Sequence, residues 1–295
     1  MDRMEINMTQ KYSTLSKPGG YNVKKKIVKL IIYAGLIALS ISMLMPFAWM
    51  ISSSLKTDLE VFIFPIQWIP RNPQWNNYVR IWDIIPLATF FRNTITLTVV
   101  ITFMQVLTSS FAAYGFSRLK WRGRDVLFMA YIGTIAVPWQ AFMIPQFIMM
   151  SNFGLVDSLW SMIFLQSFTA FGVFLMRQYY MSIPEELSEA ARIDGLSEYG
   201  IYARIVLPLT RPAIATLTIL TATFVWNDFM GPLIYLSSQR NQTIQIGLRM
   251  FVGLHSSMYS LIMAGSVLSM IPLALLFFAA QKYFIEGIAS TGLKG

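Results

Sequence analysis

Six stretches of this chain are apolar over the length that the hydrocarbon core of a bilayer demands. They run through residues 30–51, 95–116, 126–150, 159–176, 213–234 and 261–278. A helix crosses that core in about 20 residues. Apolar residues gathered in such blocks, not spread at the spacing of a soluble core, leave the chain little choice but to become an all-α integral membrane protein with six transmembrane helices. Of its 295 residues 55% are hydrophobic and only 13% charged, whereas a soluble domain carries roughly a quarter.

The first run is preceded by the basic cluster Lys24, Lys25, Lys26 and Lys29 and by the break Pro18-Gly19-Gly20. A cleaved signal peptide has a shorter apolar core followed by small residues, so this run is expected to stay as a helix, kinked near Pro46. Residues 1–27 read as an N-terminal tail and 28–295 as one membrane domain. Residues 52–92 carry several charges, four prolines and Trp68, Trp75 and Trp82. They read as an extramembrane loop lying partly on the interface, where aromatic rings sit readily. Pro138 and Pro145 are expected to break the third span. Gln105, Gln140, Gln146, Gln166 and Asn227 fall within or at the ends of spans, and such groups face other helices or a water-filled path.

Charge sets the orientation. The tail, the loops 117–125 and 177–212 and the end from 279 hold 17 of the 23 Lys and Arg residues. Lys and Arg are retained on the cytoplasmic side, so both termini and the polar segment 182–208 are expected in the cytoplasm. The net charge of +9 is absorbed in this way and calls for no nucleic acid. With no cysteine and one histidine, His255, disulfides and thiolate metal sites are excluded, and no metal site is expected.

The segment 182–208 is polar although apolar spans flank it. Ser182 and Glu185 have the spacing of a capping box, with Pro184 tolerated in the first turn. At 100° per residue Leu187, Ala190 and Ala191 fall on one side with Ile183, while Glu185, Glu189 and Arg192 fall on the other. An intrahelical Glu189–Arg192 pair at i,i+3 is the ordinary use of those two charges. Gly195 supplies a helix stop. Ser197 can cap a second short helix, which Pro208 is expected to end. An interfacial helix filling space between two spans would look much like this.

The spacing says more. Glu189-Ala190-Ala191, then Gly195 after three intervening residues, then Ile205-x-Leu207-Pro208 after nine more, matches the EAA signature at every fixed position. It resembles the cytoplasmic loop of permease subunits of binding-protein-dependent ABC importers. Pro65-x-x-Trp68-Ile69-Pro70 with Asn77-Tyr78 is similar to the first external loop of the carbohydrate-importing members, and Trp226-Asn227-Asp228-Phe229 to their fifth span. The ending from Gln281 to Gly295 resembles the tail of the MalG-type subunit. The resemblance covers nearly the whole chain from residue 28.

That resemblance implies a type I importer fold in the plasma membrane of a prokaryote, with the helix before Gly195 seated in a groove of a cytoplasmic ATPase. Glu189, Ala190, Ala191, Arg192, Gly195, Ile205, Leu207 and Pro208 would carry the coupling. A second, MalF-like permease, a dimer of ATPase subunits and an extracytoplasmic solute-binding protein are the implied partners, and a mono- or oligosaccharide the implied solute. Arg240, Asn241 and Gln242, after span five, fall in a loop similar to the one that enters the binding protein's cleft. Gln166, Trp226, Asn227 and Tyr235 are candidates for the translocation path. No Gly-x4-Gly-Lys-Ser/Thr run occurs, so this chain is expected to be a transport subunit and not an enzyme. ATP and Mg would be bound by the partner ATPase subunits.

Other functions fit less of the sequence. An ion-driven carrier needs charged groups at mid-membrane, and the spans offer only Asp228. A membrane enzyme would lack catalytic equipment, and a scaffold would leave the signature unexplained. An importer of a solute other than sugar retains every feature except the carbohydrate-type motifs.

Overall fold

A computed structural model describes residues 18–253 and 258–292. His255, the tail residues 1–17 and the last residues 293–295 lie outside them. Among the described residues the regular structure is helical, as a backbone without water requires.

Helix α1 (Pro18–Ser54) runs through Pro46 without interruption. Helix α2 (Asn77–Ile84) is followed at once by α3 (Leu87–Ser117). Next come α4 (Arg124–Gly133), α5 (Gln140–Asn152), α6 (Leu159–Gln166) and α7 (Ala170–Met181). The polar segment forms α8 (Glu185–Ile193) and α9 (Glu198–Leu209), the latter with a π-helical turn at Tyr202–Val206. Helices α10 (Arg211–Asn227), α11 (Met230–Tyr235), α12 (Ile244–Arg249) and α13 (Tyr259–Gly292) complete the chain.

Three of the six apolar runs are single helices long and apolar enough to cross a membrane, within α1, α3 and α13. The other three are interrupted. Helices α4 and α5 meet at 101°, because Pro138 offers no N–H and drives Val137 into an extended conformation. Pro145 lies inside α5 and does not break it. Helices α6 and α7 meet at 41° across Ser167–Thr169, and α9 and α10 at 76°. The fifth run is also divided at Asp228, whose backbone is extended. The 52–92 segment is not all loop, since it contains α2 and the first turns of α3.

Helix α3 is the spine, packed against α7 and α10. One buried cluster gathers Tyr114, Tyr180, Ala191, Ile201 and Val206 around its C-terminal end. A second joins Leu97 and Ile101 to Met162 and Tyr235. A third joins Phe90 to Ile81 and Ile244 near its start. Helix α1 packs along α13 and leaves most of its apolar surface exposed, as a lipid-facing helix does.

Asn77 fastens α2 to the end of α1. It is buried, and its amide donates to the carbonyls of Ser54 and Lys56, each at 2.9 Å. Replacing it with leucine strands both acceptors, at a cost of about 1–3 kcal/mol. Thermal unfolding of the purified Asn77→Leu protein in detergent should show a lowered midpoint.

Candidate functional site

The helix carrying the signature is held at both ends, though not as the spacing predicts at its start. Ser182 donates its hydroxyl to the carbonyl of Tyr179 at 2.8 Å, closing α7. No capping box forms, and Pro184 takes the N-cap position without a side-chain bond. At the other end Gly195 adopts φ +83°, in the left-handed region. Its N–H reaches the Arg192 carbonyl at 3.0 Å while that of Leu196 reaches Ala191 at 2.9 Å. This pair of bonds is the Schellman motif. Ser197 then caps α9, accepting from the N–H of Gly200 at 3.3 Å.

Adjacent residues on a helix point 100° apart, and that divides the two alanines. Ala191 is buried with Ser188 against the α3 and α7 cluster, whereas Ala190 faces outward with Glu186, Glu189 and Ile193. The expected flat Ala190–Ala191 face is therefore two faces. One seats the helix on its own bundle, and the other is free, with Ile193 87% exposed.

Arg192 does not pair with Glu189. It crosses the Gly195 turn to Glu198 at 2.8 Å, and the second oxygen of that carboxylate accepts the Tyr114 hydroxyl of α3 at 2.6 Å. The Arg192 guanidinium first, then the Tyr114 hydroxyl, hold the Glu198 carboxyl below the usual range. Arg118, just past the end of α3, donates to the carbonyls of Tyr180 and Ile183 (2.7 Å for the latter), clamping the approach to α8. Ile205 and Leu207 pack partly buried against the same cluster. Pro208 does not end α9. The helix continues to Leu209, and the bend falls at Thr210, whose hydroxyl bonds back to Val206 at 3.1 Å.

Three of the helix breaks, at Pro138, at Ser167–Thr169 and at Asp228, converge on one cavity of about 850 Å³, whereas the bend at Thr210 lies away from it. Trp139 and Gln140 reach it from the first break, Gln166 and Thr169 from the second, Asn227 and Asp228 from the third. The carbonyls freed between α6 and α7 are taken by α3. Gln105 donates to the Gln166 carbonyl at 2.6 Å, and Thr108 to that of Ser167 at 2.8 Å. Gln105 in turn accepts the Thr221 hydroxyl at 2.9 Å. The Gln166 amide donates to Asp228 at 2.7 Å, leaving its own side-chain oxygen buried and unpaired. The other Asp228 oxygen accepts from the N–H of Gly231 at 3.1 Å. A side chain at Gly231 would lie 2.6 Å from both Asp228 and Met162.

Of the four path candidates, Gln166, Asn227 and Tyr235 line this cavity. Trp226 does not. It is buried, donating to the Ser269 carbonyl at 3.1 Å, and belongs to the packing of α10 on α13. Gln105, Gln140 and Gln146, expected to face other helices or a water-filled path, line it too, whereas Trp139, Thr169 and Asp228 were not among the candidates. The signal for them lies at helix breaks, of which only Pro138 is conspicuous in the sequence.

Arg240, Asn241 and Gln242 form and leave a 3₁₀ turn. Arg240 projects an exposed side chain. Asn241 is spent internally, donating to the Asp157 carbonyl at 2.5 Å, and Gln242 donates to Ser237 at 3.3 Å. Asn93 of α3 holds the carbonyls of Arg240 and Gln242 at 2.8 and 2.9 Å. Asp157 organises the loop. Its carboxylate accepts from the N–H groups of Ser237 and Ser238 and from the Ser238 hydroxyl at 2.8–3.0 Å.

Residues 105–290 match the family described as binding-protein-dependent transport system inner membrane component. The chain belongs to that family. It is 32% identical over 256 residues to a probable ABC transporter permease, YurM of Bacillus subtilis, covering 85% of this chain and 83% of that one. It is 34% identical over 227 residues to the arabinooligosaccharides transport system permease AraQ of Halalkalibacterium halodurans, covering 77% and 81%. Among solved structures it resembles a chain of a bacterial ABC transporter that imports the acidic polysaccharide alginate, with a TM-score of 0.78 and 27% identity over 88% of this chain and 98% of that one.

In this inner-membrane component the loop contacts of Asp157 also set a pH limit. Those donors, the Ser238 N–H first, lower its pKa to about 2, against about 3.9 in an unfolded chain. A depressed carboxylate stabilises the fold above the unfolded value and loses that contribution as pH falls toward the folded one. Unfolding midpoints measured from pH 5 to pH 2 should therefore fall for the wild type. Asp157→Asn should remove part of that slope.

Proposed function

We propose that this chain is one membrane subunit of an ABC importer for a carbohydrate in the plasma membrane of a prokaryote. It crosses six times, with both termini and α8 in the cytoplasm. A second, MalF-like permease completes the path. A dimer of ATPase subunits, where ATP and Mg are bound, docks on the outward face of α8, and a solute-binding protein delivers sugar from outside. The solutes of two relatives, arabinooligosaccharides and alginate, support a saccharide.

One observation carries this reading. Helix α3 bonds to the outer loop through Asn93, to the cavity through Gln105 and to the α8–α9 turn through Tyr114. At 1.5 Å per residue these points lie about 18 Å and about 14 Å apart along a single helix. A displacement imposed on α8 passes through Glu198 to α3, and from Gln105 to the broken end of α6 at the cavity wall. The exposed Glu189, Ala190 and Ile193 offer a carboxylate beside a small apolar surface, suited to a groove with a basic or polar rim.

Two measurements on the reconstituted complex test the reading. Glu189→Lys should abolish solute-stimulated ATP hydrolysis while the protein still inserts, and normal uptake by that variant would sink the docking assignment. Glu198→Ala releases both Arg192 and Tyr114. It should raise the ATP hydrolysed per solute transported several-fold, with assembly intact by gel filtration. An unchanged ratio would remove Glu198 from the transmission route.

A further inference from the structure

The cavity between the interrupted helices is one-sided in charge. Among the described residues its lining includes one carboxylate, Asp228, and no Lys, Arg or His. Beside the amides of Gln140 and Gln146, which can donate as well as accept, it holds open acceptors. The Gln166 side-chain oxygen is buried without a partner, since the amide nitrogen is committed to Asp228. Each Asp228 oxygen takes one protein donor and has room for another. Such a wall asks its ligand for hydroxyl donors. Five aromatic rings, among them Trp139, Phe229 and Tyr235, offer faces for the apolar side of a sugar ring.

An anionic ligand meets the opposite of what it needs. It gives up its hydration with no cation to replace it. It also approaches the like charge of Asp228, which is partly exposed on the wall. Resting on the carbohydrate reading above, we infer that this subunit's cavity takes neutral, hydroxyl-rich saccharides and turns away uronate-bearing ones, with Asp228 setting the preference. The acidic solute of the alginate importer therefore does not carry over to this chain.

The test compares digalacturonate with its dimethyl ester, which keeps the rings and removes the charge, alongside neutral raffinose and maltotriose. Uptake is measured in proteoliposomes holding the complete importer. The wild type should take up the ester and the neutral sugars in preference to the free acid. Asp228→Asn should raise the acid-to-ester ratio about tenfold. The binding protein is the same in both, so its own selectivity cancels.

A second measurement dispenses with the binding protein. The chain has no cysteine, so Thr223→Cys places a single thiol on the cavity wall. A sulfonate-bearing thiosulfonate should label it about fivefold more slowly than an uncharged one, and Asp228→Asn should close the gap. The comparison in the Asp228 background stands even if the substituted importer assembles poorly. Equal labelling rates there, or wild-type uptake of the free acid as fast as the ester, overturn the inference and leave the carbohydrate reading intact. If no saccharide of either kind enters but an amino acid or peptide does, the carbohydrate reading itself falls.

Discussion

A helix that breaks inside a membrane exposes carbonyls to a medium that cannot hydrogen-bond them, each at a cost of several kcal/mol. Gln105 and Thr108 answer that cost at the break between α6 and α7, and the cavity exists because they do. Both project from α3 one turn apart, so a single face of an unbroken helix stabilises the gap in its neighbour. The breaks are confined to helices packed on this spine or on one another. Once the carbonyls are satisfied, the residues at the broken ends are free to face the opening, which places Gln166, Thr169 and Asp228 on its wall.

The polar end of the molecule follows the same logic with charge. Helix α8 has only nine residues, too short to be stable alone. It is fixed by the Gly195 turn, by Ala191 packed in the cluster and by Glu198 bridging Arg192 and Tyr114. A partly exposed ion pair is worth little in isolation. Here its value is directional, because the same carboxylate also holds a hydroxyl of the spine. A second exposed pair, Lys120 with Glu185 at 3.3 Å, adds to the attachment at the start of α8.

Apolar run length made the helical membrane fold legible, and the signature made α8 and its Gly195 stop legible. Hydropathy was blind to the interruptions, since an apolar stretch reads alike whether the helix continues or turns. Pro138 betrayed one break. Nothing local betrayed that at Ser167–Thr169, whose carbonyls are held by residues about 60 positions away. Pro145 and Pro208 were overread, because a proline can sit in a helix that its neighbours support. The contacts of α8 were misjudged for a similar reason. Glu189 is the nearer partner for Arg192 in sequence, but the turn at Gly195 brings Glu198 closer in space. Trp226 looked like a path residue by type, and only the packing of α10 on α13 shows it to be core.

The pairing of α1 with α13 has a bearing on how the molecule is made. These are the first and last helices among the described residues, and Asp58, just past α1, accepts both the N–H and the hydroxyl of Ser260 at 2.8 Å. Domains emerge from the ribosome N-terminus first. Helix α1 is therefore made more than two hundred residues before α13 and lacks this companion until then. Its apolar circumference makes the wait harmless, because lipid serves as a provisional neighbour. A chain cut short before α13 would leave α1 without the helix it packs along and Asp58 without both of its Ser260 donors.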